Sequence, residues 1–159
     1  MYRPKISSQG GICILNQIGM GGTFDHLHEG HKLLLKSAFL FSKKVIIGLT
    51  TDVLLRNKKF AQKIEPYEQR KLNIISYIKT FTDVNRVEIV PIEDSYGPPI
   101  HEPEYEGIIV SQETYPTAIK INEIREEKGF PPLIIITIPI IKDANNKKIS
   151  STAIRESLE

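Results

Sequence analysis

The stretch Gly21–His31, GGTFDHLHEGH, joins a short apolar run to a helix-like segment. The apolar run begins with ICIL at 12–15 and extends towards Gly19, and the segment HEGHKLLLKSAFLFS at 28–42 carries its apolar residues on one stripe. Three of the chain's four histidines fall within this stretch. In an open α/β sheet, ligands bind where the carboxyl ends of the strands lead into helices. The stretch therefore predicts a strand, a binding turn and the start of a helix.

Four more apolar runs rich in Ile and Val alternate with helix-like segments along the rest of the chain. The runs are VIIGLT (45–50), RVEIVPI (86–92), GIIVS (107–111) and LIIIT (133–137). Short runs that are apolar on both faces are typical of parallel strands covered by helices. The sequence therefore predicts a single doubly wound, Rossmann-like α/β domain with a parallel five-stranded sheet and helices on both faces.

Two segments between these runs have apolar residues at helical spacing. PYEQRKLNIISYIKTF carries Leu72, Ile75, Ile78 and Phe81, which we expect on one helix face. ETYPTAIKINEIREEKG carries Ile119, Ile121 and Ile124 and ends at Gly129, a predicted C-cap.

The composition favours one cytoplasmic globular domain. The chain has 159 residues, 40% of them hydrophobic, and a net charge of +2, too little for a nucleic-acid-binding surface. Cys13 is the only cysteine, so no intrachain disulfide can form and a reducing compartment is expected. The longest apolar run is too short to span a membrane. We expect a loose polar segment at 1–11 and one domain at 12–159, with no membrane or nucleic-acid partner.

The residue types in the opening stretch suit an anion. Gly21 and Gly22 are expected to let the backbone turn tightly and approach a ligand. Backbone amides at the start of the following helix would attract a phosphate. His28 and His31 are three residues apart, so they share one helix face. Together these features predict a phosphate pocket.

Two other interpretations of the histidines stay open, and a third is excluded. His26, His28 and His31 could bind a transition metal, although no cysteine is near and Gly30 suits a close backbone approach better. The histidines could also stand by chance at an ordinary helix start. A dinucleotide turn is rejected because G-x-G-x-x-G is absent.

Resemblance to a known family favours the phosphate pocket. TFDHLHEGH (23–31) resembles the T-x-D and H-x-G-H signature of nucleotidyltransferases, and ISSTAIR (149–155) resembles their I-S-S-T-x-I-R motif. VSQETYPTAIKINEIREEKGFPPL, GLTTDVLLRNKK, IEPYEQR and DSYGP are similar to the archaeal and eukaryotic type of phosphopantetheine adenylyltransferase. The resemblance covers about residues 12–155 and implies that AMP passes from ATP, with Mg²⁺, to 4′-phosphopantetheine, giving dephospho-coenzyme A and pyrophosphate.

Related functions are kept as alternatives. Cytidylyltransferases share the first motif but usually carry R-T-x-G-I-S-T-T as the second. Nicotinamide-mononucleotide adenylyltransferases share the second motif but usually open with G-R-F-x-P. A nucleotide-binding module without turnover is the alternative from outside the enzymes.

The resemblance implies roles for matching residues, and no resident metal ligands. The catalytic candidates are His28, His31, Lys58 and Lys59. The candidates for binding ATP or phosphate are Gly21, Gly22, Thr23, Phe24, Asp25, Gly30, Ser111, Ser150, Ser151, Thr152 and Arg155. The candidates for binding the acceptor are Thr23, Asp94, Tyr96 and Gly97.

Several further residues have two possible roles. Asp25 either orients the loop or helps hold Mg²⁺, and His26 is expected to support the loop. Arg70 either contacts a phosphate or pairs with a carboxylate on its own helix. Glu113 and Thr114 are candidate helix caps. Asn122 and Arg125 match the family without a defined role.

Overall fold

The computed structural model describes residues 14–56, 61–139, 154 and 158. Within these residues five strands alternate with three α-helices: β1 (Leu15–Gly22), α1 (Glu29–Phe41), β2 (Ser42–Thr50), α2 (Tyr67–Ile78), β3 (Val87–Ile92), β4 (Gly107–Ser111), α3 (Tyr115–Glu127) and β5 (Ile134–Ile138). The strands form one parallel sheet in the order β3-β2-β1-β4-β5. The predicted five-stranded parallel sheet is confirmed. None of the helices in the described ranges is long and apolar enough to cross a membrane.

The direction of winding reverses at β1. Its residue Gly21 pairs with Gly48 of β2 on one side, and Gly19 pairs with Ile108 of β4 on the other. Where the strand order reverses, the connections from neighbouring strands run to opposite faces of the sheet and leave a crevice at the carboxyl ends of those strands. The segment between β1 and α1, which holds the predicted binding turn, starts at this crevice.

Alternate residues of the central strands pack against helices on opposite faces of the sheet. In β2, Val45 and Ile47 join a core with α1 and α2, whereas Ile46 joins a second core with α3. The edge strands β3 and β5 are mostly half-buried. Pro91 is tolerated in β3 because an edge strand has a free side on which no neighbouring strand needs its N–H. Helices on both faces are confirmed, whereas strands apolar on both sides are limited to the middle of the sheet.

The predicted apolar stripes are only partly correct: Ile78 and Ile121 are buried as expected, whereas Leu72 and Ile119 are not, and Phe81 lies beyond the end of α2. Leu72 of α2 is 56% exposed, and the buried positions of that helix are Arg70, Ile74 and Ile78. Arg70 is charged but occupies one of these buried positions, so counting apolar residues alone does not identify the buried face. In α3, Ile119 is largely exposed while Ile121 is buried, because residues two apart do not share a helix face.

The predicted C-cap of α3 is confirmed. Gly129 has a positive φ of 77°, and its N–H donates to the Glu126 carbonyl at 3.0 Å. The N–H of Phe130 donates to the Arg125 carbonyl at 2.8 Å. These two bonds form a Schellman motif, which ends the helix and turns the chain towards β5.

Candidate active site

The turn between β1 and α1 is made by non-glycine residues. Phe24 and His26 have positive φ values of 50° and 46°, a region that residues with a Cβ rarely adopt. Gly21 and Gly22 are the last residues of β1 and neither has a positive φ. The prediction that these glycines make the tight turn is therefore wrong. The surrounding contacts must hold the loop in its strained form.

His28 and His31 form a capping box at the start of α1. The main-chain N–H groups of Gly30 and His31 donate to His28 Nδ1 at 3.1 and 3.4 Å, and the N–H of His28 donates to His31 Nδ1 at 3.3 Å. The two rings stack with their centroids 3.7 Å apart, so the shared face predicted from the spacing is confirmed. Imidazole nitrogens thus take the part that Ser and Glu usually play in this motif.

This capping fixes the tautomer of both rings. A ring nitrogen that accepts a hydrogen bond carries no proton, so each neutral ring holds its proton on Nε2. The N–H groups of Gly30 and His31, which the sequence predicts to attract a phosphate, donate to the His28 ring. The hydrogen bonds polarise the imidazole and make its Nε2–H a better donor to an anion.

Gly30 is required by the position of the His28 ring. A Cβ at position 30 would lie 2.9 Å from His28 Cε1 and 3.1 Å from its Nδ1. These distances are too short for carbon and nitrogen atoms in contact. Any larger residue therefore displaces the ring from its capping position.

We expect Gly30→Ala to lower kcat roughly tenfold or more, because the displaced His28 ring loses its orientation. The melting temperature should change little, since alanine favours a helix by up to about 1 kcal/mol and offsets the weakened cap. Steady-state kinetics and a thermal melt measure both. Glu29→Ala, in the same helical turn, is the control that should keep full activity. A fully active Gly30→Ala variant would contradict this role.

A network below the loop holds its strained conformation. Asp25 is fully buried and its Oδ1 accepts the N–H of Glu65 at 2.8 Å. Glu65 in turn accepts the N–H of His26 at 2.7 Å, and His26 Nε2 lies 2.9 Å from the carbonyl of Lys63. These bonds tie the turn to the chain just before α2. The structure thus supports loop-supporting roles for Asp25 and His26.

The three histidines do not share one metal site. Among the described residues, the only group of three or more potential metal ligands is Asp25, His26 and Glu65, which excludes His28 and His31. The atoms of this group are engaged with one another and with the main chain. A metal site built from the three histidines is therefore not formed.

Arg70 is a buried clamp on the same loop. Its side chain is fully buried, and its Nη1 donates to the Thr23 carbonyl at 3.0 Å and its Nε to the Glu65 carbonyl at 2.8 Å. Its Nη2 donates to Asp52 Oδ1 at 2.9 Å. Asp52 follows β2 and lies outside α2, so the expected pairing within one helix is wrong. The guanidinium joins three segments beneath the crevice.

A cavity of about 310 Å³ opens beside Thr23 on the α3 face of the sheet. Its floor includes Gly19, Gly21 and Gly48 of the strands. The Pro99 and Tyr105 side chains pack over Gly19 and the Ile92 side chain packs over Gly48, whereas a Cβ at Gly21 would make only ordinary contacts. The walls come from α3 and from the segment after β3, and include Asp94, Tyr96, Gly97, Tyr105, Ala118 and Ile121. All four predicted acceptor residues, Thr23, Asp94, Tyr96 and Gly97, therefore line one cavity.

The segment after β3 is shaped by a side-chain turn and a buried ring. Asp94 Oδ1 accepts the N–H groups of Tyr96 and Gly97 at 2.8 and 2.7 Å, and Gly97 has a φ of 65°. Tyr105 is almost fully buried. Its burial and then the neighbouring Glu102 carboxylate raise the pKa of Tyr105, so its hydroxyl keeps its proton at neutral pH.

The candidates around β4 and α3 have mainly structural contacts. Thr114 stands at the N-cap position of α3, but its Oγ1 accepts the N–H of Ser111 at 3.1 Å and caps no helix amide. The prediction of a Thr114 side-chain cap is therefore wrong. Asn122 exchanges two hydrogen bonds with the main chain of Leu133, at 2.7 and 3.1 Å, and aligns the start of β5. Thr114 lines the cavity, whereas Ser111 does not.

The Phe24 side chain is part of the core. It is 2% exposed, and its ring lies 5.3 Å from the His31 ring. Only the main chain of Phe24 could therefore contact a phosphate. A Cβ at Gly22 would lie 3.1 Å from Phe24 Cε2, so Gly22 makes room for the ring.

Some predicted residues lie outside the part of the chain that the structure describes. They are Lys58, Lys59, Ser150, Ser151, Thr152 and Arg155, together with the segment 1–11. Their roles stay predictions from the family resemblance.

Sequence reasoning missed Gly19, Gly48, Tyr105 and Glu65. Glycines inside apolar strands are a usable signal, because they mark places where a ligand or another chain segment approaches the backbone. Glu65 and Tyr105 carry no such signal, since their positions depend on how distant segments meet.

Comparison with known proteins agrees with the resemblance of the motifs. Residues 20–157 match the cytidylyltransferase-like family. The chain is 41% identical over 148 residues to a phosphopantetheine adenylyltransferase of Methanopyrus kandleri, covering 93% of this chain and 94% of that protein. It is 46% identical over 142 residues to that of Thermococcus kodakarensis, covering 89% and 86%.

A solved structure from Archaeoglobus fulgidus, described as a protein of unknown function, has the same fold. It superimposes with a TM-score of 0.68 at 30% identity and covers 84% of this chain and 99% of its own. The family match and the relatives extend over most of the chain, and the solved structure agrees with the observed fold. The chain belongs to the cytidylyltransferase-like family and, within it, to the phosphopantetheine adenylyltransferases.

Proposed function

We propose that this chain transfers AMP from ATP to 4′-phosphopantetheine, giving dephospho-coenzyme A and pyrophosphate in coenzyme A biosynthesis. The observation that carries the proposal is the place of Thr23, which lines the cavity and also begins the loop that leads to the His28–His31 pair. An acceptor in the cavity would present its phosphate at Thr23. ATP would place its α-phosphate at the start of α1. The relatives' names support this choice of acceptor.

The reaction needs position and charge stabilisation. An oxygen of the acceptor's phosphate attacks the α-phosphorus of ATP. The bond from that phosphorus to the oxygen shared with the β-phosphate breaks, and pyrophosphate leaves with the electron pair. No covalent enzyme intermediate is required. We assign the Nε2–H groups of His28 and His31 to the α-phosphate oxygens, where negative charge grows in the transition state.

The cavity suits the pantetheine arm, which is partly apolar and rich in amides. Most of its lining is apolar, with Ile46, Ile92 and Ile108 among the contacts. A few polar groups, including the Thr23 and Thr114 hydroxyls, fix orientation in such a pocket.

Mg²⁺ enters this scheme as part of the ATP substrate. Magnesium usually keeps its waters and binds phosphates plus one or two carboxylates. The Asp25 carboxylate is fully buried and accepts the Glu65 N–H, so it does not fit a phosphate-bound ion. Lys58, Lys59 and the Ser150–Arg155 motif are proposed for the other phosphates on the family resemblance alone. A cytoplasmic location is part of the same proposal.

We expect Gly21→Val to raise KM for phosphopantetheine roughly tenfold or more, because its methyl groups occupy space that the acceptor needs. A Cβ at Gly21 would lie 3.6 Å from the Gly48 carbonyl oxygen and 3.8 Å from Ile92 Cδ1, which are ordinary contacts. The fold should therefore persist, and valine favours a strand. KM for ATP should stay within about twofold, and Gly21→Ala should have a smaller effect. An unchanged acceptor KM in the valine variant would show that the acceptor does not bind in this cavity.

The function is tested by measuring pyrophosphate release with Mg²⁺ and a panel of substrates. ATP is paired with 4′-phosphopantetheine and with nicotinamide mononucleotide, and CTP is paired with glycerol 3-phosphate. Release only with phosphopantetheine is the expected result. Release with another acceptor would support nucleotidyl transfer but contradict the assignment of phosphopantetheine as the acceptor. Binding of ATP without any release would favour the non-catalytic module.

A further inference from the structure

Arg125 is a fully buried cation in the last turn of α3. None of the ion pairs among the described residues includes it. Burial lowers the pKa of Arg125, and the Glu104 carboxylate offsets only part of that effect. A buried charge is unfavourable unless its hydrogen bonds are satisfied. Its partners should therefore reveal what the charge stabilises.

The guanidinium donates five hydrogen bonds within the described part of the chain, all to main-chain carbonyls. Nε bonds Pro131 at 2.9 Å. The two terminal nitrogens bond four carbonyls of the segment that follows β3, namely those of Pro99 (2.6 Å), Glu102 (2.9 Å), Pro103 (3.1 Å) and Tyr105 (3.3 Å). This segment has no strand or α-helix to satisfy its carbonyls, so Arg125 supplies the donors.

Two of these carbonyls belong to residues that line the cavity beside Thr23. Pro99 and Tyr105 both line it, and a Cβ at Gly19 would lie 3.3 Å from Pro99 Cγ and 3.5 Å from two carbons of the Tyr105 ring. The opposite wall includes Ile121, one turn before Arg125 on α3. One side chain therefore fixes the distance between the two walls.

We propose that Arg125 is a positioning residue that sets the width of the acceptor pocket and hence the affinity for the pantetheine arm. The inference rests on the proposed function for the identity of the acceptor. Arg125 itself does not line the cavity and acts through Pro99 and Tyr105. ATP is assigned to the start of α1, so its binding is not expected to depend on this clamp.

Arg86 provides a matched control. Arg125 lies over the Phe130 ring and Arg86 lies over the Phe39 ring. Arg86 donates to the carbonyls of Lys43, Phe39 and Ser42 and to the Thr82 hydroxyl. These partners lie in the last turn of α1, at the start of β2 and just before β3, and none of them lines the cavity. Both clamps lie at the amino ends of the strands, Arg86 beside β2 and β3 and Arg125 beside β4 and β5. Arg86→Gln therefore removes a comparable, half-buried clamp on the side of β1 away from the cavity wall that Arg125 holds.

The test compares the full chain with both variants in steady-state pyrophosphate release and in calorimetric titration with 4′-phosphopantetheine. We expect Arg125→Gln to raise KM and Kd for phosphopantetheine roughly tenfold, with KM for ATP within about twofold. Arg86→Gln should lower the melting temperature and leave both KM values unchanged. An unchanged acceptor KM in Arg125→Gln, or an equal rise in both KM values, would overturn the inference.

Two further results keep the outcome decisive. If Arg125→Gln does not fold, Lys128→Met removes the neighbouring bond to the Ile100 carbonyl at 2.5 Å and should shift the acceptor KM in the same direction by a smaller factor. An unchanged acceptor KM in that variant would then overturn the inference. If the unmodified chain is active with a different acceptor, the proposed function fails, and the same comparison is made with that acceptor. If it neither turns over nor binds phosphopantetheine, both proposals fail.

Discussion

Replacing His31 with glutamine is expected to lower kcat by roughly 10²–10³-fold, the usual effect of losing a donor to charge that develops in the transition state. Because His31 belongs to the capping box, glutamine can remove the imidazole while keeping the cap of α1. Glutamine at this helix position can accept the His28 N–H as His31 Nδ1 does, at 3.3 Å in the native chain. It does not place an imidazole Nε2–H at the α-phosphate. The expected result is a stable protein with near-normal KM values and very slow turnover.

His31→Ala separates the two roles of the residue. It removes the cap as well as the donor, so unfolding should become easier by about 1 kcal/mol while kcat falls as in the glutamine variant. Thermal melts and single-turnover kinetics on both variants measure stability and chemistry independently. The glutamine carboxamide still carries N–H donors, so the alanine variant decides: if His31→Ala retains more than about a tenth of the native kcat, the ring does not stabilise the transition state.

Arg70→Met should give the largest loss of stability, about 2–5 kcal/mol. Methionine fills the space of the stem but leaves the carbonyls of Thr23 and Glu65 without their donor, and each unsatisfied buried group costs about 1–3 kcal/mol. Turnover of the folded fraction should also fall, because Thr23 lines the cavity proposed for the acceptor and begins the loop proposed to bind ATP. Denaturant unfolding followed by kinetics on the folded protein measures both effects.

Asp52→Asn is the matched control for Arg70. The Asp52 side chain is 61% exposed, so its ion pair with Arg70 is well solvated. Such pairs contribute roughly 0–1 kcal/mol, and the loss of stability should stay in that range. If Asp52→Asn destabilises the chain as much as Arg70→Met does, then the ion pair and not the two carbonyls explains the importance of Arg70.

The sequence was sufficient to predict the sheet because β2 to β5 contain short Ile- and Val-rich runs and β1 leads into the histidine-rich turn. The sequence predicts Gly21 and Gly22 in the turn, whereas both belong to β1, since glycine permits a turn without requiring one. The strained residues are instead Phe24 and His26, whose φ values are maintained by bonds to residues about 40 positions away. Such support depends on tertiary contacts that no local pattern records.

The buried arginines explain most of the remaining differences. Arg70 and Arg125 occupy core-facing helix positions that an apolar pattern assigns to other residues, which is why Leu72 and Ile119 were expected inside. Their hydrogen bonds go to main-chain carbonyls in other segments, so the side-chain chemistry alone could not identify their partners. The His28–His31 spacing could be read locally because both residues belong to one helical turn.

Mass spectrometry of the products tests the proposed adenylyl transfer most directly. The full chain is incubated with ATP, Mg²⁺ and 4′-phosphopantetheine, and the products are followed over time. The proposal predicts dephospho-coenzyme A and pyrophosphate in equal amounts, with neither formed when the acceptor is left out. Formation of ADP, or pyrophosphate release without an acceptor, would contradict it.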